Sequence, residues 1–148
     1  MLIPAGPDEA EPFSALLARA FTDYARGLGR AAPGPYDWVP ARLAQGDGFW
    51  LGEARQGAVV LKPEGRSIKI DVLGIDPQAQ GSGLGARAVA AIEDHARSKG
   101  AVTLSLQTAQ RYTRLVAFYS RLGFRVQGVG PHSEGFDDML RVYMVKRL

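Results

Sequence analysis

The sequence predicts an α/β protein of one domain, residues 1–148, in which helices flank a mixed, mostly antiparallel central sheet. Three observations predict this class. The length of 148 residues suits one core, since domains usually contain roughly 100 to 200 residues. Helical and strand periods follow each other in the order helix, three strands, helix, strand, helix, two strands. The composition is that of a globular protein, with 46% hydrophobic and 22% charged residues.

The first half of the sequence predicts one long helix and three strands. Asp8 followed by Glu11 is typical of a helix N-terminus, and apolar residues then recur at helical spacing, so we expect a helix over residues 9–27. Glycines and prolines indicate a loop over 29–48, with a helical turn near Pro40 to Gln45. Strands are predicted over Phe49 to Ala54, Ala58 to Lys62 and Ser67 to Ile75, and Leu2 to Ala5 is a candidate short strand.

The second half predicts two more helices and three more strands. Glycines at residues 81–85 open a helix that runs to about Lys99, with Gly100 in a position where glycine commonly ends a helix. Residues 102–108 alternate as a strand does, and a helix over 109–122 follows. The last two strands are predicted over Phe124 to Val129 and Leu140 to Arg147.

Composition argues against several classes of site and partner. There is no cysteine, which rules out disulfides, thiolate metal sites and a cysteine nucleophile, and we expect no metal. The net charge of +3 comes from 18 basic and 15 acidic residues without a basic run, so we expect no nucleic-acid partner. No signal sequence and no apolar run of about 18 residues is visible, so we expect no membrane partner and a cytoplasmic location.

The most informative segment, residues 68–87, joins a predicted strand to a helix through glycines. Glycine leaves backbone N–H groups unshielded, and the first turn of a helix adds donors without intrahelical partners, so a phosphate group suits this place. A P-loop is excluded because no Gly-Lys-Ser or Gly-Lys-Thr follows. A dinucleotide loop matches Gly81, Gly83 and Ala86, but no acidic residue ends the next strand. A tight connection without a ligand is the remaining alternative.

Two motifs in this sequence resemble those of the GNAT acetyltransferase superfamily. The pattern Gln80-x-x-Gly83-x-Gly85, ahead of an amphipathic helix, is similar to the superfamily's pyrophosphate loop. A later helix that carries Phe118-Tyr119 and closes on Gly-Phe is similar to its downstream motif. The resemblance implies a GNAT-like fold and an N-acetyltransferase that uses acetyl-coenzyme A (acetyl-CoA) as co-substrate. The coenzyme-binding residues that it implies are Leu73, Gly74, Ile75, Gln80, Gly81, Ser82, Gly83, Leu84, Gly85 and Ala86.

The resemblance also implies direct attack of an amine on the thioester. The strand segment Val72 to Ile75 then gives a backbone N–H to the thioester carbonyl, and Tyr119 is the candidate proton donor to the leaving thiolate. Asp71 is the candidate base, because an acidic residue on a central strand is unusual unless it is paired or functional, and Glu53 is the second candidate. Core packing for the tyrosine and an ion pair or a solvated position for the carboxylates are the alternative roles.

The acceptor of the acetyl group is expected to be a small-molecule or peptide amine. Tyr24, Tyr36, Asp37 and Trp38 combine aromatic rings with a carboxylate, groups that attract ammonium ions. They are close in sequence to the segment that, by the resemblance, overhangs the thioester end of the coenzyme. Packing against the core is their alternative role. An edge strand near the C-terminus allows a homodimer, and an acyl-CoA-binding regulatory module without turnover is the alternative function.

Overall fold

The computed structural model describes residues 1–29, 31 and 34–148, and its elements follow the predicted order. Within these residues seven strands form one mixed sheet in the order β1-β2-β3-β4-β5-β7-β6. The predicted fold class, a mostly antiparallel sheet with flanking helices, is confirmed. The helices are α1 (Ala10–Gly27), α2 (Val39–Ala44), α3 (Leu84–Ser98) and α4 (Thr113–Arg121), and the strands are β1 (Leu2–Pro4), β2 (Gly48–Leu51), β3 (Gly57–Glu64), β4 (Ser67–Ile75), β5 (Thr103–Ala109), β6 (Arg125–Gly130) and β7 (Arg141–Arg147).

Some predicted boundaries are wrong by a few residues. β2 ends at Leu51 rather than Ala54, because Gly52 and Arg55 take left-handed φ angles of 71° and 52° and turn the chain. Residues 109–112, predicted as the start of a helix, instead end β5 and lead into α4. The candidate strand at the N-terminus is confirmed as β1. Within the predicted loop of residues 29–48, Arg30, Ala32 and Pro33 lie outside the described residues.

The chain forms two compact units, the first made of Met1–Lys62 with Asp71–Ile92 and the second of Pro63–Ile70 with Glu93–Leu148. The prediction of one domain over residues 1–148 stays a prediction. In the first unit, α1 and α2 cover strands β1, β2 and β3. The Phe13 ring meets the Trp50 ring edge to face, with centroids 5.1 Å apart. The buried residues of this core cluster are Ala5, Phe13, Leu16, Leu17, Val39, Leu43, Trp50, Ala58 and Val60.

The second unit is built on β5. The first three residues of β4, Ser67–Lys69, pair in parallel with Thr103–Ser105, and β7 pairs antiparallel along the whole of β5. β6 pairs with β7 through a bulge between Val126 and Gly128 and lies at the edge of the sheet. Of the helices that the structure describes, none is long and apolar enough to cross a membrane.

Candidate functional site

A helical turn, Pro77–Ala79, follows β4 and leads into the glycine loop of the first unit. The Asp76 carboxylate caps this turn, because its Oδ1 accepts a hydrogen bond of 3.0 Å from the Gln78 N–H. Arg19 of α1 donates from Nη2 to Oδ2 of Asp76 at 3.1 Å. The Gln78 N–H and, more weakly, the Arg19 guanidinium lower the pKa of the Asp76 carboxyl, against the opposing effect of burial. The turn ahead of the loop is therefore fixed to α1 by a charged group.

The loop itself depends on two glycines in a left-handed conformation. Gly81 has φ +78° and Gly83 has φ +80°, values that glycine adopts without the steric cost that a Cβ brings. A Cβ at Gly81 would meet no atom within 4 Å, whereas a Cβ at Gly83 would lie 3.2 Å from Nη1 of Arg87. Both glycines are exposed, so the backbone of this loop is open to a ligand.

Two side chains hold the loop in shape through hydrogen bonds to the backbone. The Ser82 hydroxyl donates to the Ala79 carbonyl at 2.6 Å, and the Gln80 amide donates from Nε2 to the Ile75 carbonyl at 3.3 Å. Both side chains were predicted to bind a coenzyme. In this structure their hydrogen bonds shape the turn that presents the glycines.

The N-terminus of α3 adds donors and positive charge to the loop. The Arg87 N–H bonds to the Gly83 carbonyl at 3.2 Å, so the N–H groups of residues 84–86 precede this first helical bond. The Arg87 guanidinium lies over the loop and donates from Nη1 to the Ser82 carbonyl at 3.1 Å. Backbone donors, the positive end of the helix dipole and a guanidinium together favour an anion such as a phosphate group.

Gly74, near the end of β4, lies where α1 packs against the strand. A Cβ at this position would lie 3.1 Å from Cβ of Ala20, 3.2 Å from Cδ2 of Leu17 and 3.4 Å from Cε2 of Phe21. A larger residue would therefore push the helix away from the strand. The sequence predicted that the backbone at Gly74 comes close to a ligand. In the structure, side chains of α1 lie close to Gly74. The neighbouring residues Leu73 and Ile75 are partly exposed.

Asp71, the candidate base, lies on β4 and forms an ion pair with Arg42 of α2. Nη1 of Arg42 lies 2.7 Å from Oδ2 of Asp71, and the exposed fractions of the two side chains are 20% and 17%. Arg42 was not among the site residues predicted from the sequence. Arg42 binds Asp47 and Asp71, which are 5 and 29 residues away along the chain. No local sequence pattern therefore indicated this group of three charged residues.

The candidate acceptor residues all belong to the first unit. Tyr24 of α1 meets Phe21 edge to face at 5.9 Å between centroids, and the Tyr36 and Trp38 rings lie 6.2 Å apart. Tyr36 and Trp38 are partly buried against the core cluster, whereas Asp37 is exposed. Glu53, the second candidate base, is exposed in the turn after β2.

Tyr119, the candidate proton donor, lies on α4 in the second unit. It is 8% exposed, and its ring meets Phe118 and Phe124 edge to face, with centroids 5.1 Å and 5.5 Å away. The ring therefore contributes to the packing of α4 whatever its hydroxyl does. Among the described residues, no group of three or more His, Cys, Asp and Glu side chains could hold a metal ion.

Comparison with known sequences gives one family and one curated relative. The model of the Acetyltransferase (GNAT) family matches residues 33–124, which include the glycine loop, α3 and α4. The IAA acetyltransferase of Azospirillum brasilense is 32% identical over 93 residues, which are 62% of this chain. The match spans 59% of that relative, less than two thirds of its length.

Two solved structures share the fold. The ribosomal-protein-S18-alanine N-acetyltransferase of Escherichia coli has a TM-score of 0.77 over 99% of this chain and 92% of that chain, at 17% identity. A GNAT family acetyltransferase from Elizabethkingia anophelis, with acetyl-CoA bound, has a TM-score of 0.65 over 79% of this chain and 92% of that chain, at 18% identity. At these identities the likeness is one of fold.

Proposed function

The chain belongs to the GNAT acetyltransferase family, and on that premise we propose that it transfers an acetyl group from acetyl-CoA to a primary amine of a small molecule or peptide. The observation that carries the proposal is the open glycine loop at the N-terminus of α3, with Gly81 and Gly83 in left-handed conformations. This loop lies inside the region that the family model matches. The reaction proceeds by direct attack in a complex of enzyme, acetyl-CoA and amine.

The residues of the loop fit a pyrophosphate group. The space beside Gly81 is free within 4 Å of a Cβ position, and the N–H groups of residues 84–86 lie at the first turn of α3. Arg87 adds a guanidinium, whose planar fork suits phosphate oxygens. We propose that the pyrophosphate of acetyl-CoA binds to these groups, with Gln80 and Ser82 shaping the loop.

In the proposed reaction the amine nitrogen attacks the thioester carbonyl carbon, a C–N bond forms and the C–S bond breaks. Negative charge develops on the carbonyl oxygen, and a backbone N–H of the Val72–Ile75 segment stabilises it. The thiolate leaves and either takes a proton from Tyr119, which regains one from water, or is stabilised by a hydrogen bond from Tyr119 and takes its proton from water; coenzyme A is released as the thiol.

The attacking amine must also lose a proton. From the sequence, Asp71 was the predicted base that accepts this proton. Its Oδ2 already accepts a hydrogen bond of 2.7 Å from Nη1 of Arg42, so the carboxylate is engaged in an ion pair within the protein. We therefore propose water as the proton acceptor. Asp71 then has a structural role on β4, as the ion-pair partner of Arg42.

The acceptor is proposed at the level of chemical class. The names of two of the proteins compared above give different acceptors, IAA in one case and an alanine of ribosomal protein S18 in the other. Tyr24, Tyr36, Asp37 and Trp38 are the proposed amine-binding residues of this chain. A cytoplasmic location and a homodimer through an edge strand near the C-terminus also stay predictions.

A thiol-release assay tests the proposal. The purified protein is incubated with acetyl-CoA and a panel of primary amines and peptides, and free coenzyme A and the mass of each acceptor are measured. We expect release that depends on the amine, with one acetyl group added to the product. Binding of acetyl-CoA by calorimetry without release for any amine supports the regulatory module instead. A folded protein that neither binds nor releases coenzyme contradicts both functions.

A further inference from the structure

Three side chains of α1 surround the place where a Cβ of Gly74 would lie: Leu17, Ala20 and Phe21. Leu17 is fully buried, Ala20 is 8% exposed, and Phe21 is partly exposed. The three side chains therefore run from the core towards the surface, and Phe21 is the outermost of them. A Cβ at Gly74 would lie 3.4 Å from Cε2 of Phe21, so the Phe21 ring lies beside the backbone of Gly74.

The Phe21 ring is held from more than one side. It packs against the core cluster of the first unit, and the Tyr24 ring meets it edge to face at 5.9 Å. An aromatic ring has few rotamers and loses little entropy when it is fixed. Phe21 therefore presents a stiff apolar surface beside the strand rather than a side chain that moves aside easily.

We propose that Phe21 determines the length of the acyl chain that the enzyme accepts and restricts it to acetyl. The inference rests on the proposed function, in which the Val72–Ile75 segment gives a backbone N–H to the thioester carbonyl. Gly74 belongs to that segment, and the Phe21 ring lies beside it, with Cε2 3.4 Å from where a Cβ of Gly74 would be. With the carbonyl held by the backbone, each added methylene of a longer acyl chain has to find room against neighbouring side chains.

The size of the expected effect follows from packing. A pocket of fixed apolar side chains distinguishes substrates that differ by one methylene by roughly 10- to 200-fold in kcat/KM. Well-packed sites reject extra methylenes because neighbouring groups have to leave their preferred rotamers. Replacement of Phe21 by a smaller residue opens space at the end of β4. The kcat/KM for thioesters with longer acyl chains then rises more than the kcat/KM for acetyl-CoA.

The test compares acetyl-CoA, propionyl-CoA and butyryl-CoA with one accepted amine, for the natural protein and for Phe21→Leu and Phe21→Ala. The ratio of kcat/KM for butyryl-CoA to that for acetyl-CoA is the readout, because it does not depend on the fraction of protein that is folded. We expect at least a tenfold rise of this ratio in Phe21→Ala, and a smaller rise in Phe21→Leu. Phe13→Leu, a change of the same kind on α1 away from Gly74, is the control and leaves the ratio unchanged.

An unchanged ratio in both active Phe21 variants overturns the inference and leaves the proposed function standing. Equal kcat/KM values for the three thioesters in the natural protein also overturn it. Calorimetry with coenzyme A alone distinguishes failure of the Phe21 inference from failure of the proposed function. If the natural protein does not bind coenzyme A, the proposed function fails, and the assignment of Phe21 fails with it.

Discussion

The Arg42 guanidinium donates a hydrogen bond of 2.7 Å from Nη1 to Oδ2 of Asp71. Its Nε donates to Asp47 at 2.9 Å and its Nη2 to the Leu61 carbonyl at 3.1 Å. Burial alone would lower the pKa of Arg42, but its hydrogen bonds and charge interactions with Asp71 and Asp47 outweigh burial and raise it. One side chain of α2 thus ties the segment before β2 and the strands β3 and β4 together.

Asp71→Asn removes one of the two charged partners of Arg42 and is expected to lower the free energy of unfolding by about 1 to 3 kcal/mol. The pair is mostly buried, so solvent compensates only in part. Denaturation by urea at about pH 7 measures the change, and we expect kcat to fall by less than about tenfold. Asp23→Asn is the control, because the Asp23–Arg26 pair is exposed and should contribute little. Unchanged stability with a loss of kcat of about 100-fold or more would instead identify Asp71 as the base.

The order of helices and strands could be predicted because it depends on local pattern. Alternating apolar residues and the glycines before α3 are signals within a few positions of each other. The error at the end of β2 has a local cause that pattern alone does not show, because Arg55 is a non-glycine residue with a φ of 52°. Such a turn is recognised from its dihedral angles and not from its composition.

The site could be predicted only where its residues are adjacent in sequence. Gly83 and its loop carry a motif, so their place at the start of α3 followed from the sequence. Arg42, the partner of Asp71, is 29 residues away, and the packing of Leu17 beside Gly74 joins α1 to a strand that follows three others. Those contacts arise from tertiary packing, and a single sequence contains no periodic signal for them.

Gly83→Val should weaken acetyl-CoA binding by at least about tenfold, because a branched side chain enters the loop at a φ of +80° and presses on Arg87. Gly100→Val is a matched control. Gly100 has φ +77° and no atom within 4 Å of its Cβ position, so the backbone strain is similar and no ligand site is affected. Calorimetry with acetyl-CoA compares the two variants. Equal affinities in two folded variants would show that the loop does not hold the pyrophosphate.

Tyr119→Phe should leave acetyl-CoA affinity unchanged and reduce kcat by about 10- to 1000-fold, as expected when a positioned proton donor is lost. The ring contacts with Phe118 and Phe124 remain in this variant, so the melting temperature should change little. Steady-state rates, calorimetry and thermal melting are measured on the same preparation. A rate equal to that of the natural protein would assign Tyr119 to packing alone.

Acidification from about pH 7 to about pH 5 should destabilise the protein. Burial and then the positive charge of Arg141 lower the pKa of His132 below its usual 6.5, and burial lowers that of His95. The native state therefore binds fewer protons than the unfolded state as the pH falls through 6.5, so stability falls with pH. His132→Asn should remove part of this slope in urea denaturation. A natural protein that gains stability on acidification in this range would contradict the assignment.

Asp37 is exposed between two partly buried rings, Tyr36 and Trp38, which fix the segment that carries it against the core. If this segment receives the amine, the carboxylate attracts the ammonium form of the acceptor and the rings attract it through cation–π contact. Asp37→Ala should then raise the KM for an accepted amine by about 3- to 30-fold and leave acetyl-CoA affinity unchanged. Asp23→Ala is the control: it removes an exposed acidic residue of α1, outside the Asp37 segment, and should leave the KM for the amine unchanged. Trp38→Phe keeps an aromatic ring in the core and should raise KM less than Asp37→Ala does. An unchanged KM in Asp37→Ala would place the amine elsewhere on the protein.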